Sequence, residues 1–107
     1  MPRRREPDPL ALAVGRRIRE LREEAGMTLE KLAYESELRS KGHLSDIEQG
    51  LVRPTIETLR VIADHLGVLV VDLVCFPEQD DRQQLIELSR TLSAGTLRKL
   101  LREMKRR

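Results

Sequence analysis

The chain has 107 residues, of which 36% are charged and only 2% aromatic, and its formal net charge is +2. That length suits one small domain with at most a short appended element, and the scarcity of aromatics leaves Leu, Ile, Val and Ala to build the core, as helices packed on helices do. A charge so close to neutral, even with a pI near 9.0, excludes any argument for nucleic acid from composition alone; a DNA-facing surface has to come from local clustering.

Residues 1–9 carry three arginines and three prolines, with no apolar anchor beyond Met1. The expectation is a disordered basic N-terminal arm. Its Arg3, Arg4 and Arg5 are either a solvated tail or an arm that touches DNA phosphates or enters a minor groove. The stretch lacks the apolar core of a signal peptide, and no run in the chain approaches the ~18 apolar residues of a membrane span; a reduced, soluble, cytoplasmic protein is expected. Asp8 and Pro9 make a cap and first-turn proline. Leu10, Val14, Ile18, Leu21 and Ala25 then recur at helical spacing. Arg16, Arg17, Arg19, Arg22, Glu20, Glu23 and Glu24 fill the other face, most of them as solvent-exposed pairs. Gly26 closes this helix, with Met27 as the apolar contact of the stop.

Residues 28–50, TLEKLAYESELRSKGHLSDIEQG, read as two short helices joined by a tight connection. Thr28 is an N-cap before Leu29, Leu32 and Ala33, and Ser40 an N-cap before Leu44 and Ile47. Gly50 stands where a left-handed stop is wanted. Lys41, Gly42, His43, Ser45, Asp46 and Gln49 remain on the outer face of the second helix, a set rich in hydrogen-bonding groups and poor in core material. This is the layout of a helix-turn-helix with its recognition helix last.

Leu51, Val52, Arg53 and Pro54 form a linker. Thr55 caps the next helix, in which Ile56, Leu59, Ile62, Ala63 and Leu66 make a stripe ending at Gly67. Periodicity does not separate strand from helix in VLVVDLVCF; a lone strand would have no partner, so a short helix over 70–75 is expected. Cys75, the single cysteine, excludes an intramolecular disulfide and a cysteine metal cluster and reads as a small buried apolar residue. Composition shifts at Pro77. Leu85, Leu88 and Leu92, and then Leu97, Leu100, Leu101 and Met104 behind a Ser93 cap, predict two amphipathic helices joined as a hairpin. Such a hairpin buries too little by itself: its leucine faces pack either on a second copy, as a dimerisation element, or on the main domain, which would bring the basic tail at 98–107 to DNA.

Several motifs coincide in order: R-x-L-R-x-x-x-G, T-x-x-x-L-A, L-S-x-I-E-x-G, Arg53-Pro54 and I-A-x-x-L-G-V. Over roughly residues 14–74 the chain resembles the Cro and phage-repressor type (XRE-like) helix-turn-helix family. Together with the helical patterns, the resemblance implies an all-α fold. Its parts are a disordered arm (1–9), a five-helix phage-repressor-like DNA-binding domain (10–76) and a C-terminal helical hairpin (77–107).

Residue by residue, the resemblance implies a structural ion pair between Arg22 and Glu48, with Ala33, Leu44 and Ile47 locking the two helices together. Lys41, Gly42 and Asp46 take base-facing positions with Ser40 and His43 beside them. Thr28, Arg39, Ser45, Gln49 and Arg53 lie toward the phosphate backbone. Two departures stand out. Leu29 replaces the glutamine that the family uses on phosphate, and the connection before Ser40 is one residue longer than usual, with Glu37 in the glycine position.

Lys41 is suited to guanine O6 and N7 or to phosphate. Gly42 costs about 1 kcal/mol in a helix interior and serves either close approach to DNA or nothing beyond tolerance near a helix start. Asp46 can accept from cytosine N4 yet repels phosphate. His43 and His65 have no spacing for a metal site. No phosphate loop, nucleophile elbow or catalytic pair occurs, so the expectation is no enzyme, cofactor, metal or small-molecule ligand. The expected function is a bacterial or phage transcriptional regulator, a repressor-type homodimer on double-stranded DNA with a roughly palindromic operator. The alternative is a protein-interaction module, an antitoxin or adaptor on the same scaffold.

Overall fold

The computed structural model describes residues 6–36, 38 and 41–107; Arg3, Arg4, Arg5, Glu37, Arg39 and Ser40, with the readings attached to them, lie outside the described residues. Among the described residues the fold is all-α, with seven helices and no strand. The helices are α1 (Pro9–Glu24), α2 (Leu29–Glu35), α3 (Lys41–Glu48), α4 (Ile56–Leu66), α5 (Val70–Leu73), α6 (Asp81–Ser89) and α7 (Ala94–Lys105). They fall into two compact units, with the division along the chain between Val74 and Cys75.

Local chemistry sets most helix ends. The side chains of Asp8, Thr28, Thr55, Asp80 and Ser93 accept from backbone N–H groups in the first turns of α1, α2, α4, α6 and α7, groups that would otherwise have no intrahelical partner. Past α1 and α4 the chain turns through Gly26 and Gly67 at φ 71° and 70°, a conformation that carries little strain only without a Cβ.

The core of the first unit is aliphatic. Ile18, Leu32, Leu44, Ile47, Ile62 and Leu73 are fully enclosed, and they bring one face each of α1, α2, α3, α4 and α5 together. On α1 the buried stripe is Ala11, Val14, Ile18 and Leu21, again at spacings of three and four. Leu10, expected in that stripe, is 66% exposed and lines an open groove of about 430 Å³ with Val14, Pro54 and Leu59. Ala25 lies outside the core because it has already left the helix as its C-cap. Ile56, at the first position of α4, is likewise 81% exposed.

Arg17 corrects the sequence reading most clearly. It belongs to the charged face expected in solvent, yet it is 3% exposed. Its Nε donates to the carbonyl of Asp72 at 2.9 Å and its Nη1 to Glu20 at 2.8 Å. Asp72 is buried too, and its carboxylate accepts from the Leu69 N–H at 2.8 Å, which caps the single turn of α5. A buried guanidinium is tolerable because its donors are taken, and here it ties α1 to α5. The expected helix over 70–75 is shorter for the same reason: cap and clamp hold one turn, Val70–Leu73.

In the second unit, the Cys75 Sγ–H donates to the carbonyl of Gln83 at 3.2 Å, and the Phe76 N–H donates to the Gln83 side chain at 2.8 Å. These bonds bind the start of the unit to α6. Neither α6 nor α7 contains a buried residue.

The tightest approach in the fold is that of α1 to α3. A Cβ added to Gly15 would lie 2.4 Å from the carbonyl oxygen of Ile47 and 2.5 Å from that of Glu48. Both neighbours are backbone, so they cannot swing aside. Gly15→Ala is therefore expected to destabilise the protein by about 2–3 kcal/mol, the upper part of the range for overpacking, whereas Gly95→Ala, which meets only the Ser93 Oγ at 4.0 Å, should be neutral or slightly stabilising. Urea unfolding of the two variants, compared at equal m-value, checks the difference.

Candidate nucleic-acid interface

α2 and α3 form the helix-turn-helix, and the inner side of α3 is fixed from two directions. Leu44 and Ile47 enter the core, and Glu48 receives Arg22 of α1. The guanidinium makes a forked pair, Nε to Oε2 at 2.8 Å and Nη2 to Oε1 at 3.1 Å, while Nη1 donates to the carbonyl of Met27 at 2.7 Å. Arg22 and Glu48 are both buried, and the bond to Glu48 holds the guanidinium still more firmly protonated than an ordinary arginine. One side chain thus joins the end of α1, the turn into α2 and the end of α3.

Gly50 follows at φ 75°, and a Cβ there would meet Leu12 Cα at 2.6 Å. The left-handed turn and the close pass of α1 both require glycine. The Gly50 carbonyl accepts from the Asp8 N–H at 3.2 Å, bringing the start of α1 beside the linker that carries Arg53.

With its inner side held, α3 turns Lys41, Gly42, His43 and Gln49 to solvent, with Ser45 and Asp46 half-buried beside them. Gln49 Nε2 donates to Ser45 Oγ at 2.8 Å. Thr28 is exposed, its hydroxyl oxygen accepting from the Lys31 N–H at 3.1 Å. Such a surface offers lysine, imidazole, amide, hydroxyl and carboxylate groups side by side, the functional groups that read base edges.

Two of the cations are paired. Lys41 Nζ lies 2.6 Å from Glu30 Oε1 on α2, and Arg53 Nη2 lies 3.0 Å from Asp8 Oδ1. The hydrogen bond from Lys41 holds the Glu30 carboxyl below the usual glutamate range.

Sequence reasoning missed Gly15, Glu30 and Tyr34. Gly15 had a signal, since a glycine inside a helix costs about 1 kcal/mol and asks for a reason. Glu30 had none, because it meets Lys41 only once the helix-turn-helix has folded. Tyr34, the single tyrosine of the chain, stands 87% exposed on α2, on the face that it shares with Glu30 one turn earlier. In the second unit Leu85, Leu88, Leu92, Leu100, Leu101 and Met104 are exposed and Leu97 half-buried. Among the described residues no cluster of His, Cys, Asp and Glu could hold a metal ion, and no helix is long and apolar enough to cross a membrane.

A short polar helix held against a scaffold by its C-terminal half is the mark of a helix-turn-helix protein. The helix-turn-helix domain family matches residues 13–74, more than half of the chain, and the chain belongs to it. It is 41% identical over 58 residues to the HTH-type transcriptional regulator DdrOP3 of Deinococcus deserti, covering 54% of this chain and 44% of that protein. It is 36% identical over 63 residues to the immunity repressor protein of Bacillus phage phi105, covering 59% of this chain and 43% of that one. A third relative is the control protein C.BamHI of Bacillus amyloliquefaciens, 34% identical over 68 residues, covering 63% of this chain and 83% of that one. The chain spans less than half the length of the first two. Among solved structures, the clp gene regulator ClgR from Corynebacterium glutamicum superposes with a TM-score of 0.59 at 36% identity, covering 64% of this chain and 86% of that chain. A second ClgR structure, at a TM-score of 0.58 and 28% identity, covers 89% of this chain and 88% of that chain.

The Arg22–Glu48 pair has a testable energetic signature. Arg22→Met or Glu48→Leu alone strands a buried charge and should cost about 3 kcal/mol or more. Arg22→Met with Glu48→Leu removes both charges and should recover most of the loss, short of the wild type because the Met27 carbonyl still lacks its donor. Thermal unfolding of the two single variants and the double variant measures the coupling.

Proposed function

We propose that the chain is a sequence-specific DNA-binding transcriptional regulator that acts as a homodimer on a roughly palindromic operator. The observation that carries the reading is α3 itself, whose inner side is locked by Gly15, Leu44, Ile47 and the Arg22–Glu48 pair while its other side presents Lys41, His43, Ser45, Asp46 and Gln49 outward. Rigid backing is what a reading helix needs, because base discrimination falls away when donors and acceptors wander by fractions of an ångström. The names of the relatives agree: a transcriptional regulator, an immunity repressor and a control protein. Lys41, Gly42, His43 and Asp46, with Ser40, face the bases, and Thr28, Arg39, Ser45, Gln49 and Arg53 lie toward the phosphates. Arg3, Arg4 and Arg5 add arm contacts. The setting is the cytoplasm of a bacterium.

A single module of this size buries too little DNA surface for tight, selective binding, and two copies on half-sites about one helical turn apart supply it. The exposed leucines of α6 and α7 favour pairing through residues 77–107, since apolar side chains in such density on two unburied helices gain by covering one another. The ClgR superposition that covers 89% of this chain extends beyond the helix-turn-helix domain into the C-terminal residues.

DNase footprinting over the upstream region of the chain's own operon tests the reading: two protected half-sites about one helical turn apart are expected, and Lys41→Ala should abolish the protection. Equal affinity for the upstream region and for random DNA would overturn it. Sedimentation velocity of the full chain should give a dimer that Leu100→Glu with Leu101→Glu converts to a monomer; one identical mass for both would remove these helices from the dimer.

A further inference from the structure

Two cations of the described surface that are assigned to DNA are already paired with carboxylates. Lys41 lies 2.6 Å from Glu30, the pair 56% and 61% exposed, and Arg53 lies 3.0 Å from Asp8, 53% and 21% exposed. Residues 28–50 hold five carboxylates against three lysines and arginines, so the segment that carries the reading helix is net acidic. The strongest run of positive charge sits elsewhere, with Arg98, Lys99, Arg102, Lys105, Arg106 and Arg107 against the one carboxylate of Glu103.

We propose that Glu30 and Asp8 temper the grip on DNA: each holds, as an internal carboxylate, a cation that a duplex would otherwise take, and so lowers the electrostatic part of the affinity for DNA of any sequence. The inference rests on the DNA-binding reading above and goes beyond it by giving a role to two acidic residues outside the set assigned to DNA.

The physics is an exchange. A free lysine or arginine that meets a phosphate releases counterions from the DNA, and this release drives binding at low salt. A cation that is already paired must first leave its carboxylate, which then gathers a counterion of its own. The net release per contact shrinks, and the attraction common to every sequence shrinks with it. Because the same pairs must open on every duplex, the discount lowers affinity and its salt dependence without changing the ratio of specific to random binding, and base choice is left to the outer face of α3. Exposed pairs are individually weak, which bounds the effect at about five-fold for each pair.

The geometry of Asp8 suits both of its tasks. Oδ2 accepts from the Ala11 N–H at 3.0 Å as the cap of α1, while Oδ1 takes Arg53. Asp8→Asn keeps a capping oxygen and loses the charge; Glu30→Gln likewise keeps the shape of its residue. A control of equal charge change exists in Glu57, which pairs with Arg60 at 2.5 Å on α4, neither of them among the residues assigned to DNA.

The test is fluorescence anisotropy of the full chain and the three variants on a labelled duplex of random sequence, from low to moderate salt. Glu30→Gln and Asp8→Asn should each bind two- to five-fold tighter at low salt, with the slope of log K against log salt steeper by up to about 1. Glu57→Gln should match the wild type. The proposal is overturned if Glu30→Gln and Asp8→Asn behave as the wild type does, or if Glu57→Gln tightens binding as much as they do, since net charge alone would then account for the gain. If the wild type binds duplex DNA and the variants merely equal it, this inference fails and the DNA-binding reading stands. If none of the four proteins binds any duplex, that reading fails and this one with it.

Discussion

The structure depends on the crossing of α1 over α3. Gly15 lets the two backbones come within a distance that no Cβ would permit, and Gly50 allows the same chain to pass Leu12 as it leaves α3. At this crossing the forked bond between Arg22 and Glu48 is sheltered from water. A buried pair contributes little net stability over apolar replacements, but it makes departures from its own geometry costly. Close backbone packing thus sets the distance between the helices, and the ion pair resists their rotation. The orientation of the outer face of α3 follows from both.

That orientation matters because the outer face has little electrostatic attraction to lend. Its surroundings are acidic in sum, and its lysine is tied to Glu30. A helix that relied on charge would grip any duplex; one that relies on hydrogen-bonding groups held in register is selective by construction. The departures in the helix-turn-helix point the same way, since Leu29 stands where the family places a phosphate-binding glutamine.

The buried polar groups serve as joints. Arg17 donates to the Asp72 carbonyl and so fixes the single turn of α5 against α1, while Asp72 caps that turn with its own carboxylate. Four residues of helix would not persist alone, because helix nucleation is costly and a single turn recovers little of that cost. Here one interior arginine replaces length. The C-terminal helices are the reverse case: they have good caps at Asp80 and Ser93 and an apolar stripe, yet no interior of their own.

The sequence by itself determined everything that depends on near neighbours along the chain. Caps at Asp8, Thr28, Thr55 and Ser93, stops at Gly26 and Gly67, and apolar stripes at helical spacing are decided within a few residues, so the helices and the family motif were legible without coordinates. A stripe leaves its own edges open, which is why Leu10 and Ile56 were placed inside and Arg17 outside: a terminal leucine has no partner helix to cover it, and an arginine stem packs like an aliphatic chain once its donors are satisfied. Only the tertiary structure decided the contacts between residues distant in sequence. Gly15 against the Ile47 and Glu48 carbonyls, Arg17 on Asp72, Lys41 on Glu30 and Arg53 on Asp8 carry no local signature, because their energies arise from groups that the chain brings together only when the helices have already packed.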